Sequence, residues 1–191
     1  MASIGELDDA VQTARKAGCS ELILLKCTST YPAAPENSNL RTISHLKRLF
    51  DCEVGLSDHT LGVGAAIAAV ALGASVIEKH FTLSRDEGGV DSAFSLEPSE
   101  LACLVTESKH AWEALGGIKY GPAEAEKSSL RFRRSIYVSK DIKKGEIFSE
   151  NNIRIVRPGY GAPPNFYSLI LGKKSPKSFA KGDPLKIESL F

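Results

Sequence analysis

Two histidines raise the first chemical question. In Ser57-Asp58-His59-Thr60 and in Lys79-His80-Phe81-Thr82 an imidazole follows a short apolar run, and the two rings stand 21 residues apart. Neutral imidazole suits zinc, manganese or iron, and two protein ligands leave coordination positions for water and substrate. The competing reading is that each ring is satisfied by hydrogen bonds where a strand ends. Asp58, beside His59, either orients that ring from behind or caps the following helix. Lys26, Thr28, Ser29, Ser57 and Lys79 offer cations and hydroxyls to a phosphate or carboxylate. The acidic loop Asp86-Glu87-Gly88-Gly89-Val90-Asp91 follows His80, where a carboxylate can reach a ligand. Arg157, set between Val156 and Pro158-Gly159, offers a guanidinium to an anionic or polyhydroxyl ligand. His45 and His110 fall within helical patterns and read as surface residues, and no glycine-rich nucleotide loop occurs.

These groups need elements that bring them to one place. Ser3 and Glu6 have capping-box spacing, and Ile4, Leu7, Ala10, Val11 and Ala14 recur at helical period until Gly18. Residues 21–28 form a nearly continuous apolar run, the pattern of a strand covered on both faces. The cycle repeats: a helix over about 39–50, a strand over 53–56, a helix over 63–72, a strand over 75–79, and a helix opened by Glu97-Pro98 and closed by Gly116-Gly117. Alternation of this kind implies a parallel sheet with crossover helices, whose chemistry sits at the C-terminal ends of the strands. The polar residues named above fall at those ends. Three strands are too few to close, and a complete eightfold barrel takes about 250 residues. The pattern therefore suits either a small open sheet or the C-terminal part of a larger barrel.

Composition shifts after Gly121-Pro122. Residues 123–134 are charged and read as a linker. From Ser135 to residue 191, short strands separated by Lys144-Gly145, Pro158-Gly159, Gly161 and Lys181-Gly182 suggest a compact, turn-rich second module. The expected division is thus 1–122, 123–134 and 135–191.

The chain has 191 residues with 24 basic and 23 acidic side chains, 42% hydrophobic residues and a formal net charge of +1. Such balance gives no global field toward nucleic acid or anionic lipid, so neither is an expected partner. Cys19, Cys27, Cys52 and Cys103 lack paired metal spacing and read as reduced core thiols. The stretch 61–77 is too short and weak for a membrane span, no basic and apolar leader opens the chain, and the expected compartment is the cytoplasm.

Gly55-Leu56-Ser57-Asp58-His59-Thr60 with Glu78-Lys79-His80-Phe81-Thr82, Asp141-Ile142-Lys143-Lys144-Gly145-Glu146 and Val156-Arg157-Pro158-Gly159 resembles the sialic acid synthase family over nearly the whole chain. Residues 25–32 and 89–98 are most similar to the pseudaminic branch. The resemblance implies an α/β fold: the last three strands and helices of a TIM (β/α)8 barrel, followed by a small β-rich SAF domain of the antifreeze-like type. It implies condensation of phosphoenolpyruvate with an N-acetylated amino sugar and release of phosphate. For the pseudaminic branch the sugar is 2,4-diacetamido-2,4,6-trideoxy-L-altrose. The implied metal is manganese or magnesium, held by His59 and His80, which are also the implied catalytic residues. Ser57 would contact phosphoenolpyruvate, Ser29 and Tyr31 would touch ligands from their loop, and Asp91 would face the sugar. Arg157 would reach the sugar site of a neighbouring subunit, in a homodimer whose SAF domains cover the partner's barrel.

The first five strands of such a barrel are not recognisable in these residues, so the chain alone is expected to be an inactive fragment. Alternatives within the chemistry are the N-acetylneuraminate and legionaminate reactions. Outside it stand a non-catalytic glycan-binding SAF module and a metal-dependent aldolase or isomerase.

Overall fold

A computed structural model describes residues 1–190, which divide into two units, Met1–Ile118 and the residues from Lys119 onward. The first unit opens with helix α1 (Ile4–Lys16). Its cap is reciprocal: the Glu6 amide donates to Ser3 Oγ at 3.4 Å and the Ser3 amide to Glu6 Oε2 at 2.7 Å, a motif that stabilises a helix by about 1 kcal/mol. There follow strand β1 (Ile23–Cys27), helix α2 (Thr42–Phe50), strand β2 (Glu53–Asp58), helix α3 (Gly64–Ala71), strand β3 (Ile77–Lys79) and helix α4 (Pro98–Leu115). Helix α2 starts later than its periodicity suggests because Asn39 takes a left-handed conformation, φ 46°, which cannot continue a right-handed helix. Strand β2 runs two residues past its apolar run, so Ser57 and Asp58 lie within the sheet rather than beyond it.

The three strands form one parallel sheet in the order β1-β2-β3. Cys27 is level with Ser57, Ser57 with Glu78, and Asp58 with Lys79. Alternation sends Leu24, Val54, Leu56 and Ile77 to one face, where they pack with Val11, Ile43, Leu46, Phe50 and Ala69. The other face carries Gly55, Ser57 and Glu78, and its apolar residues Ile23 and Leu25 are exposed. Gly55 lies where Val76 and Leu25 come close: a Cβ there would stand 2.4 Å from the Val76 carbonyl oxygen. A second cluster of Ala66, Leu96 and Leu104 joins α3 to α4.

The second unit has its own core of Ile136, Val138, Ile142, Phe148, Ile153, Phe179 and Leu185. Strand β4 (Ser135–Val138) pairs antiparallel with β5 (Ile153–Val156). Isolated bridges join Tyr137 to Pro184, Ile142 to Phe179 and Ile147 to Lys174, which fits a module built from turns. Residues read as a linker are ordered: Glu124–Phe132 is a 3-10 helix, and the Arg131 carbonyl accepts from the Gly159 amide at 2.9 Å, tying the segment to this unit.

The near-neutral charge conceals a segregation. Residues 1–118 hold 9 basic and 16 acidic side chains and those from Lys119 onward hold 15 and 7, so the units carry net charges of −7 and +8. The absence of a strong field inferred from the sum fails for each unit taken alone. The cysteines are likewise not core thiols: Cys19 and Cys103 are exposed, and Cys27 and Cys52 half-buried. Among the described residues no helix is long and apolar enough to cross a membrane.

Candidate active site

His59 follows β2 and His80 follows β3, each two residues beyond a side chain on the helix-free face of the sheet, Ser57 and Glu78 respectively. Alternation therefore aims both imidazoles to that side, and their ring centroids stand 5.2 Å apart. The Nδ1 of His59 lies 2.9 Å from the Thr28 carbonyl oxygen. A carbonyl only accepts, so Nδ1 carries a proton and Nε2 is the nitrogen left to bind a ligand. The Nδ1 of His80 faces Asp91 Oδ2 at 3.5 Å, a longer contact that puts a carboxylate near this ring without a hydrogen bond. A hydrogen-bonded carbonyl behind the ring, as at His59, is the environment of metal-binding histidines.

Two imidazoles on one side of the sheet form a donor set that fits a divalent cation with open positions. Among the described residues no third His, Cys, Asp or Glu completes a three-ligand cluster, so further ligands would be water or substrate.

Aromatic rings wall this pair. The Tyr31 ring lies 4.3 Å from that of His59 and 5.9 Å from that of His80. Phe94, buried, approaches His80 edge-on at 5.0 Å. Cys27 Sγ is 3.9 Å from His59 Nδ1 and 3.7 Å from Ser29 Oγ, which places Ser29 at the same rim. Ser57 Oγ donates to Glu78 Oε1 at 2.7 Å. Lys26, half-buried at the end of β1, donates to the Cys27 carbonyl at 2.9 Å.

The structure thus groups His59, His80, Tyr31, Asp91, Ser57 and Ser29 in one unit, while Arg157 is exposed after β5 in the other. Two sequence readings need correction. Asp58 does not orient His59, because the Thr28 carbonyl does. Asp58 Oδ2 instead accepts from Lys79 Nζ at 2.7 Å, and both side chains are buried. Lys79 is therefore neutralised on the helix side and cannot hold a substrate anion on the other. Glu78, Cys27 and Phe94 were not singled out. For Glu78 the signal was present, since a residue two before His80 on a strand must share its face. Phe94 lies 14 residues after His80, in a loop whose return no periodicity announces.

Comparison with known proteins gives two family matches: the NeuB family over residues 1–120 and the SAF domain over residues 133–190. A pseudaminic acid synthase of Campylobacter jejuni is 51% identical over 166 residues, covering 87% of this chain and 48% of that protein. An N,N'-diacetyllegionaminic acid synthase of the same species is 42% identical, covering 97% of this chain and 57% of that protein. The crystal structure of an N-acetylneuraminic acid synthetase from Leptospira borgpetersenii superposes with a TM-score of 0.61 at 39% identity, over 70% of this chain and 46% of that one. The chain spans about half the length of the curated relatives it matches.

Proposed function

The chain belongs to the NeuB family, and from that premise we propose that it forms the metal- and sugar-binding part of a synthase that makes pseudaminic acid from phosphoenolpyruvate and 2,4-diacetamido-2,4,6-trideoxy-L-altrose. The observation that carries this reading is the convergence of His59 and His80 at the strand tips, with the Thr28 carbonyl behind one ring and the Asp91 carboxylate near the other. Higher identity to the pseudaminic than to the legionaminic relative supports the choice of sugar.

In the overall reaction C3 of phosphoenolpyruvate bonds to the aldehyde carbon of the open-chain sugar. Water adds at C2, the C2–O bond to phosphorus breaks, and phosphate leaves. His59 and His80 would hold a divalent cation, manganese or magnesium, which when bound supplies Lewis-acid polarisation of the sugar carbonyl. The chain's own groups divide the remaining work. Lys26, level with Leu56 and so on the helix face, spends its ammonium on the Cys27 carbonyl and is assigned no substrate contact. Ser57 spends its only proton on Glu78, so contact with a phosphate oxygen means exchanging one anionic acceptor for another. Tyr31 and Phe94 flank the two imidazoles and would give a bound sugar an apolar wall. Asp91 faces the sugar beside His80, and Ser29 lines the rim. Placing both substrates within bonding distance lowers the barrier further.

Arg157 would serve the sugar site of a partner subunit. Support for a homodimer comes from charge: the +8 unit of one copy complements the −7 unit of another. The reading is of a cytoplasmic enzyme, which four free cysteines fit.

The test supplies phosphoenolpyruvate, manganese and each candidate sugar to this chain combined with the N-terminal half of the C. jejuni pseudaminic acid synthase, with product identified by mass. Pseudaminic acid from the altrose substrate and nothing from the chain alone are expected. Product from another sugar only would move the assignment to that acid. Metal-independent glycan binding without any product would favour a binding module.

A further inference from the structure

We propose that the Asp58–Lys79 pair is a clasp that sets the spacing of His59 and His80, an inference that rests on the two-histidine reading above. Each member directly precedes one of the histidines. The pair spans the β2–β3 register position Asp58↔Lys79 with Nζ 2.7 Å from Oδ2, and its side chains are 3% and 1% exposed for Lys79 and Asp58. Both charges are further engaged by one residue: Lys79 Nζ donates to the Thr60 carbonyl, and Asp58 Oδ1 accepts from the Thr60 amide at 2.9 Å. The clasp therefore closes around the backbone on both sides of His59.

The need for such a device follows from the length of β3, three residues and three register pairs. A strand this short has little ladder to resist slipping, and a slip of one residue would turn His80 to the helix face. An apolar pair at this position would pack equally well in either register, whereas an ammonium and a carboxylate whose only further partners are the carbonyl and amide of Thr60 accept one. Buried ion pairs add little net stability compared with apolar replacements, so their use here points to register rather than to stability. The groups lie on the helix face and the imidazoles on the other, so Asp58 and Lys79 act as positioning residues through the backbone and never touch the ion.

The test is manganese binding by the intact chain, read from the electron paramagnetic resonance signal of free Mn²⁺, with thermal unfolding followed by circular dichroism. D58L/K79M removes both charges while keeping a filled site. It is expected to melt within a few degrees of the parent and to bind manganese at least about tenfold more weakly, the loss typical of groups that orient ligands. D58N/K79Q, which keeps polar partners without charge, is expected to lose less. V54A, a core truncation on the same strand, is expected to lower the melting temperature with manganese affinity unchanged within twofold. Parent-like affinity in D58L/K79M overturns the clasp. So does an equal loss in V54A, which would make the effect one of general stability, or a failure of both double variants to fold, which would assign the pair to stability. H59A reports on the underlying site instead: binding that survives it overturns the two-histidine reading, and the clasp with it.

Discussion

The two faces of the three-stranded sheet do different work with the same six-residue strand. On the helix side Val54, Leu56 and Asp58 are buried among apolar side chains and one neutralised charge. On the other, Gly55 and Ser57 are followed by His59, beside Glu78 and His80, and the flanking apolar residues Ile23 and Leu25 stand open. The difference teaches that stability and chemistry are separated here by one residue of alternation. A substitution's effect should follow from which side it falls on.

The largest expected effect lies on the helix side. Leu56→Ala removes a side chain 3% exposed and should cost about 2–5 kcal/mol of unfolding free energy, with manganese affinity unchanged; chemical denaturation and metal titration of one sample check both halves. The mirror image is His80→Ala. Loss of an ion ligand should weaken manganese binding by more than the about 10–100-fold lost when only a supporting group is removed, while the half-exposed position changes unfolding by less than about 1 kcal/mol. Parallel losses in both quantities for either variant would erase the distinction between the faces.

A smaller effect sharpens it. Asp91→Asn keeps shape but removes the charge near the His80 ring, and calorimetry should show roughly tenfold weaker manganese binding with the melting temperature unmoved. The smallest effect lies at the far, N-terminal end of β2. Hydrogen bonds from Lys47 and then Ser75 hold the Glu53 carboxyl below its ordinary value. A carboxyl lowered by folding adds stability that is present above its unfolded value and lost as pH falls through its folded one. Glu53→Gln should therefore slightly flatten the decline of melting temperature in mild acid, around and below pH 4.5, and leave neutral-pH manganese binding untouched.

Much of this was legible in the residues. Alternating helices and apolar runs announce a parallel sheet, and polar residues after each run mark the edge where ligands bind. The convergence of His59 and His80 follows from equivalent positions on successive strands. What stayed hidden depends on register. No one-dimensional pattern shows that Asp58 lies level with Lys79, so a buried ion pair looked like a ring-orienting carboxylate and a phosphate-binding lysine. The Thr28 carbonyl behind His59 is a backbone group and carries no residue-type signal. Residues 124–132 have the composition of a solvated linker, yet a backbone hydrogen bond to Gly159 ties the segment to the second unit. The opposed charges of the two units vanish in a sum taken over the chain.

The most direct measurement is anomalous diffraction from a crystal of the chain soaked in manganese. The two-histidine site predicts one strong peak beyond the tips of β2 and β3, within coordination distance of Nε2 of both His59 and His80. A peak elsewhere, or rings turned away from each other with no ion between them, would contradict it.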